Sequence, residues 1–340
     1  MNSKVNEFDL RVTSEIERKN AKKDFSRIGF GFVIFSGISV LVSLVIQIAV
    51  LSVSEDFYNS HLFRNLITPV SMYLFALPVL VAFFSGVKPM PPEKKKIRFP
   101  EFMAYVAVGF GLMYIGAFMG NGVMSWLSEY TGNDYSNALE EVVNGNLWVT
   151  ALFVVIIAPI GEEFVFRKLL IDRTHKYGSF ISAILSGLIF GLMHGNIYQF
   201  FYAALLGLLL GYIYSNTGNI KYCIAIHAII NFIGSVVSVL LTDALGDLIN
   251  ATEMTNEQLL EMIVEKWPWF ILMMAFSLLV YASMGCAIIL PLAFRRKIKL
   301  CQGDTMLSRK ELLSVAFTSA GIICMVIFYV VEFMLTLLPV

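Results

Sequence analysis

Six residues combine chemistry-bearing types with surroundings apolar enough to sit in lipid. Glu162, Glu163 and Arg167 fall in LWVTALFVVIIAPIGEEFVFRKLL, His194 ends SFISAILSGLIFGLMH, and His227 and Asn231 fall in NIKYCIAIHAIINFIG. Charges at bilayer depth cost ~2.5–3.5 kcal/mol each on insertion scales, so such residues mark function or close pairing. Taken singly, each has a structural explanation. Glu163 and Arg167 stand four apart, the spacing of an ion pair along one helix face, and a lone intramembrane His or Asn is commonly glue between helices. Taken together, they suit hydrolysis shielded from bulk water. Arg167 can neutralise Glu163 and leave Glu162 as a general base, which takes a proton from water and returns it to a leaving amine. His227 and Asn231 supply donors for an oxyanion hole. The same atoms allow a second chemistry. Glu162, His194 and His227 are a Glu-His-His zinc set with an open position for water, although there is no HExxH pair. No serine or cysteine stands in an activated pairing with these histidines, so a covalent nucleophile ranks lower.

For that cluster to exist, the elements carrying it must cross a membrane side by side. Of 340 residues, 57% are hydrophobic and 15% charged, against roughly 45–50% and about 25% in an average soluble domain. The apolar residues come in long blocks, and mean hydropathy is +0.73. These blocks predict nine spans, at about 28–53, 66–87, 101–125, 147–170, 179–195, 197–216, 219–241, 267–294 and 312–338. The expected fold class is all-α, a polytopic transmembrane helical bundle whose spans four to seven form the core that carries the six residues. The first block is too long for a cleavable signal peptide and reads as a retained span. The turn between spans four and five falls at Tyr177-Gly178-Ser179, with glycine as the helix stop. Glu162 lies 16 residues before Gly178 and His194 lies 16 after it. An antiparallel hairpin therefore puts both at one depth, ~24 Å from the turn. His227 and Asn231 lie one helical turn apart, 9 and 13 residues past Gly218, which brings them ~14–20 Å in from the same side. Gly161, Gly187, Gly191 and Gly195 allow close helix approach, and Pro159 should bend span four just before the acids.

Charge sorting tests this topology. With nine spans, 23 of the 25 Lys and Arg share the side of the N-terminal tail, leaving Arg64 and Lys266 opposite. The positive-inside rule makes the tail side cytoplasmic. Acidic loops around Glu129–Glu141 and Asp243–Glu265 take the other side, and NEQLLEMIVEKW reads equally as a surface-lying or an exposed connecting helix. Pro89, Pro91, Pro92 and Pro100 make the second connection a stiff linker. The expected organisation is a polar tail (1–27), spans one to three (28–125), a catalytic core (147–241), an acidic extracytoplasmic loop (242–266) and spans eight and nine (267–340). Cys223, Cys286, Cys301 and Cys324 show neither metal-like nor disulfide-like spacing. There is no internal repeat, and no matched broken helices speak for an inverted-repeat transporter. A proton-relay transporter ranks third among the functional readings.

The motifs resemble a known family. Glu162-Glu163-Phe-Val-Phe-Arg167 fits EExxxR, Phe190-Gly-Leu-Met-His194 fits FxxxH, and His227-Ala-Ile-Ile-Asn231 fits HxxxN. In this order they resemble the CPBP (Abi) family of CAAX proteases and bacteriocin-processing enzymes, over about 147–241. The resemblance implies an intramembrane endopeptidase similar to the type II CAAX prenyl endopeptidases. In it Glu162 and His194 would activate water, His227 and Asn231 would stabilise the oxyanion, and Glu163 and Arg167 would support the site. It implies no cofactor, although the family has long carried a metalloprotease label and zinc on Glu162, His194 and His227 stays open. Lys168, where glycine is more usual, is a departure. The implied partners are a peptide or protein substrate, entering from the membrane or the cytoplasmic side, and the lipid bilayer, with no nucleic acid. The implied location is a bacterial cell membrane. The alternative is a non-catalytic bacteriocin-immunity or scaffold protein of the same fold, which would have little reason to keep all six residues.

Overall fold

A computed structural model describes residues 7–135, 146–249 and 255–338. The first six residues of the expected tail and parts of both acidic loops (136–145 and 250–254) lie outside the described residues. Every regular element among the described residues is helical. Leaving aside the single helical turn Glu55–Tyr58, these are in chain order α1 (Glu7–Val53), α2 (His61–Phe84), α3 (Phe99–Thr131), α4 (Leu147–Tyr177), α5 (Ser179–Leu192), α6 (Ile197–Thr217) and α7 (Ile220–Gly246). There follow α8 (Asn256–Glu265), α9 (Trp267–Ala293), α10 (Arg309–Phe317) and α11 (Ala320–Thr336). The chain is an all-α, multi-pass membrane bundle.

The span count differs from the nine expected. Seven described helices are long and apolar enough to cross a membrane, and α10 with α11, bent by 61°, makes an eighth if the pair is one span. The correction concerns span five. Helix α5 has 14 residues, ~21 Å of rise against a hydrocarbon core of ~30 Å. Ten of those residues are buried. Its ends are therefore met by protein rather than lipid, which is what permits a short helix at membrane depth. The expected boundary at residue 28 is also not a helix boundary, since α1 runs unbroken from the polar tail into the bilayer segment.

Small residues set the packing. Helix α5 lies against α6, α6 against α3, α3 against α9, and α1 against α11. A Cβ on Gly187 would come 2.7 Å from the Leu208 backbone nitrogen, and one on Gly116 would come 2.3 Å from the Tyr202 Cα. In lipid there is no hydrophobic drive between helices, so this close van der Waals approach carries much of the association. A close approach of the same kind lies just past the break between α10 and α11. Gly321 sits against the α1 backbone, and its N–H donates to Ser26 Oγ at 3.0 Å.

The basic end of the bundle is tied by polar contacts. Asp24 of α1 takes Lys176 Nζ at 2.5 Å and Tyr177 Oη at 2.8 Å, both at the end of α4. The proline-rich connection crosses the ends of α4 and α6, where Met90 N–H donates to Asp172 O at 2.5 Å and Lys95 N–H to Thr217 O at 2.8 Å. Thus the ends of the helices that carry the six residues are held in fixed register.

Candidate active site

Helix α4 is interrupted around the two acids. Ala151–Ile157 and Phe164–Ile171 are π-helical, and Ala158–Glu163 between them is α-helical. Pro159 explains one side effect of the first widened turn. Ala158 N–H bonds to Phe153 O, five residues back, and Pro159 has no N–H to offer the next carbonyl. Val154 O is left over, and Asn231 Nδ2 donates to it at 2.9 Å. A buried carbonyl without a partner would cost about 1–3 kcal/mol. Asn231 is therefore fixed by the break in α4, with one amide hydrogen committed there. Such widened turns are rare and frequently occur at functional sites.

His227 of α7 reaches both acids. Its Nδ1 lies 2.9 Å from Glu163 Oε1, and its Nε2 lies 3.7 Å from Glu162 Oε2. An ionised carboxylate only accepts, so the hydrogen of the shorter contact sits on Nδ1. The expected Glu163–Arg167 pair is present, with Arg167 Nε 2.9 Å from Glu163 Oε2 and both side chains fully buried. Arg167 Nη1 donates to Ser186 Oγ at 3.0 Å, and Ser186 Oγ donates on to Phe166 O at 3.2 Å. The guanidinium also lies over the Phe190 ring, 5.2 Å from its centroid. Glu162 differs from its neighbour in access, since its side chain keeps 22% of its surface exposed. Of two adjacent acids, one is sealed into a charge network and one is open.

His194 is not on the α5 helix, as expected, but in the turn that follows it. Gly195 adopts φ +69, a left-handed conformation that glycine takes without a Cβ penalty. Asn196 then caps α6, accepting from Gln199 N–H at 2.9 Å and donating to His194 O at 2.9 Å. His194 Nδ1 donates to Phe190 O at 2.8 Å. A carbonyl can only accept, so in the neutral ring the lone pair is on Nε2. The Phe190 ring meets both imidazoles edge-on, with centroids 4.9 Å from His194 and 5.7 Å from His227. The FxxxH phenylalanine is thus a shared wall between the two histidines. All six sequence-selected residues sit in this one region, tied by these contacts.

The zinc alternative rested on Glu162, His194 and His227. Among the described residues no group of three or more His, Cys, Asp or Glu is arranged to hold a metal ion. Lys168 pairs with Asp172 at 2.6 Å, on a side chain 46% exposed, so this departure from the usual glycine joins a neighbouring pair rather than the acids.

Residues 144–233 match the Rce1-like family model, that of the type II CAAX prenyl endopeptidases. The match covers about a quarter of the chain, and this segment is similar to the CAAX proteases. No curated protein and no solved structure matches the chain. The matched segment holds all six residues discussed above. Two further groups approach them from outside it. Tyr73 of α2 packs on Gly161, and Glu332 of α11 packs on Gly195 with its carboxyl carbon 3.3 Å from where a Cβ would stand. Glu332 Oε2 is buried without a hydrogen-bond partner. As the sole charge in α11 it carried a signal in the sequence that the motif reading passed over. Tyr73, one of 14 tyrosines, carried none.

Proposed function

We propose that the chain is an intramembrane endopeptidase of the CAAX type that hydrolyses a peptide bond with a water activated at Glu162. The observation that carries this reading is the split between the two acids. Glu163 is fully buried between Arg167 and His227, while Glu162 is open and lies on the Nε2 side of the same imidazole. Glu162 takes a proton as the water oxygen bonds to the scissile carbonyl carbon. His194 Nε2 accepts the water's other hydrogen bond and aims its lone pair. The carbonyl oxygen becomes an oxyanion, met by the remaining Asn231 amide hydrogen and by His227 Nε2–H in its imidazolium form. Collapse of the tetrahedral intermediate breaks the C–N bond, and Glu162 returns its proton to the leaving amine. Glu163 has the orienting role, holding the His227 ring by Nδ1. These steps need no zinc: the Nδ1 contacts to Glu163 and Phe190 O orient the two imidazole rings.

The family match favours a C-terminal CAAX-type peptide as the substrate class, reaching the site from the bilayer or from the basic end. That end, with Lys176 and the proline-rich connection, is the cytoplasmic one in this reading, in a bacterial cell membrane. The test is cleavage of an S-farnesylated CAAX peptide and its unprenylated counterpart by protein reconstituted in liposomes. Wild type is expected to cleave at least one, and Glu162→Gln neither. Binding without cleavage by the wild type would favour the scaffold reading instead.

A further inference from the structure

Tyr73 of α2 stands against Gly161, the residue next to Glu162. It lies in a π-helical stretch, Val70–Ala76, that begins directly after Pro69. A widened turn shifts side chains off the regular helical register, and here it sets a tyrosine against the α4 backbone. Gly161 makes the approach possible. A Cβ there would stand 2.2 Å from Tyr73 Cζ and 2.6 Å from its hydroxyl oxygen. The phenol thus rests against the residue that immediately precedes Glu162. No described residue forms a hydrogen bond with the Tyr73 hydroxyl. Tyr73 is half-buried, and a phenol set in an apolar helix gains from a polar partner. A donor without one, next to the more accessible of the two acids, has an evident acceptor.

We infer that Tyr73 is a positioning residue for Glu162, its hydroxyl donating to the Glu162 carboxylate and turning the other carboxylate oxygen toward the attacking water. The inference rests on the endopeptidase reading above. Hydrogen bonds at such sites are often long before substrate arrives and tighten in the complex, which fits a hydroxyl beside the acid but not yet bonded to it. It also gives Gly161 a function. The glycine keeps open the space through which a residue of α2, outside the family-matched segment, reaches the acid.

The experiment uses the reconstituted full chain and the farnesylated and unprenylated CAAX peptides. Tyr73→Phe keeps the ring against Gly161 and removes only the hydroxyl. We expect kcat to fall about 10- to 100-fold, the effect of losing one hydrogen bond to a charged group, with KM unchanged within about threefold. A loss of that interaction in kcat with KM retained marks a bond made in the transition state. Gly161→Ala should displace the phenol and lower kcat comparably. The double variant Gly161→Ala/Tyr73→Phe should then fall no more than about threefold below the worse single, because both changes remove one interaction. Unchanged kcat in Tyr73→Phe, an effect confined to KM, or additive losses in the double variant would each overturn the inference. If the wild type shows no Glu162-dependent cleavage, the endopeptidase reading itself fails and the role of Tyr73 falls with it.

Discussion

Replacing Arg167 by methionine keeps an unbranched helix former of similar length and deletes the guanidinium. In the native bundle that group meets Glu163 at 2.9 Å, donates to Ser186 at 3.0 Å and lies over Phe190. Glu163 has no solvent contact, so the variant leaves a buried carboxylate whose remaining partner is His227 Nδ1. Removing one member of a buried pair costs about 3–5 kcal/mol, whereas an exposed pair contributes about 0–1 kcal/mol. The larger figure corresponds to a loss on the order of 100- to 3,000-fold in the folding equilibrium. Unfolding titrations in mixed dodecyl maltoside and SDS micelles measure it directly. The double variant Glu163→Gln/Arg167→Met removes the stranded charge, retains an acceptor for His227, and is expected to recover more than half of the loss. An Arg167→Met variant within about 1 kcal/mol of wild type, or a double variant no better than the single, would refute the account of Glu163 as the sealed acid.

Three further outcomes follow from the site geometry. Asn231→Ala removes a proposed oxyanion donor and strands Val154 O. Its peptide cleavage rate should fall about 100–1,000-fold, and its unfolding free energy should fall by about 1–3 kcal/mol. Gly195→Ala places a side chain at φ +69 and within 3.3 Å of the Glu332 carboxyl carbon. The backbone strain alone is about 1–2 kcal/mol, and displacement of the adjacent His194 should show as a lower kcat in the same assay. Preincubation with excess chelator should leave the cleavage rate within about twofold of untreated enzyme, since metal chemistry would instead lose the bound hydroxide that carries the reaction.

The parts of the site legible in the sequence were those fixed by local spacing. Glu163 and Arg167 at four residues gave their ion pair, whereas Gly195 was read as a close-approach glycine inside span five and the turn it makes beside His194 was not. The hairpin count placed Glu162 and His194 at the same depth, although it drew α5 as a full span when it is a short helix buried in protein. What could not be read depended on distant contacts. The bond from His227 to Glu163 joins residues 64 apart, and no periodicity selects which acid the ring will take. Pro159 was legible as a bend, but not as the reason Val154 O is free for Asn231. Tyr73 approaches through space from α2 and resembles other membrane-helix tyrosines in sequence. Glu332 differed, since one acid in an apolar helix is visible by composition alone.

The central claim is that Glu162, and not its neighbour, activates the water. The most direct measurement compares Glu162→Gln and Glu163→Gln in the liposome peptide-cleavage assay, with each protein's folding checked by its unfolding titration. The account expects Glu162→Gln to be folded and without detectable cleavage. It expects Glu163→Gln to lose stability while retaining measurable turnover, because Glu162 and His194 remain. Retained cleavage in a folded Glu162→Gln variant would contradict it.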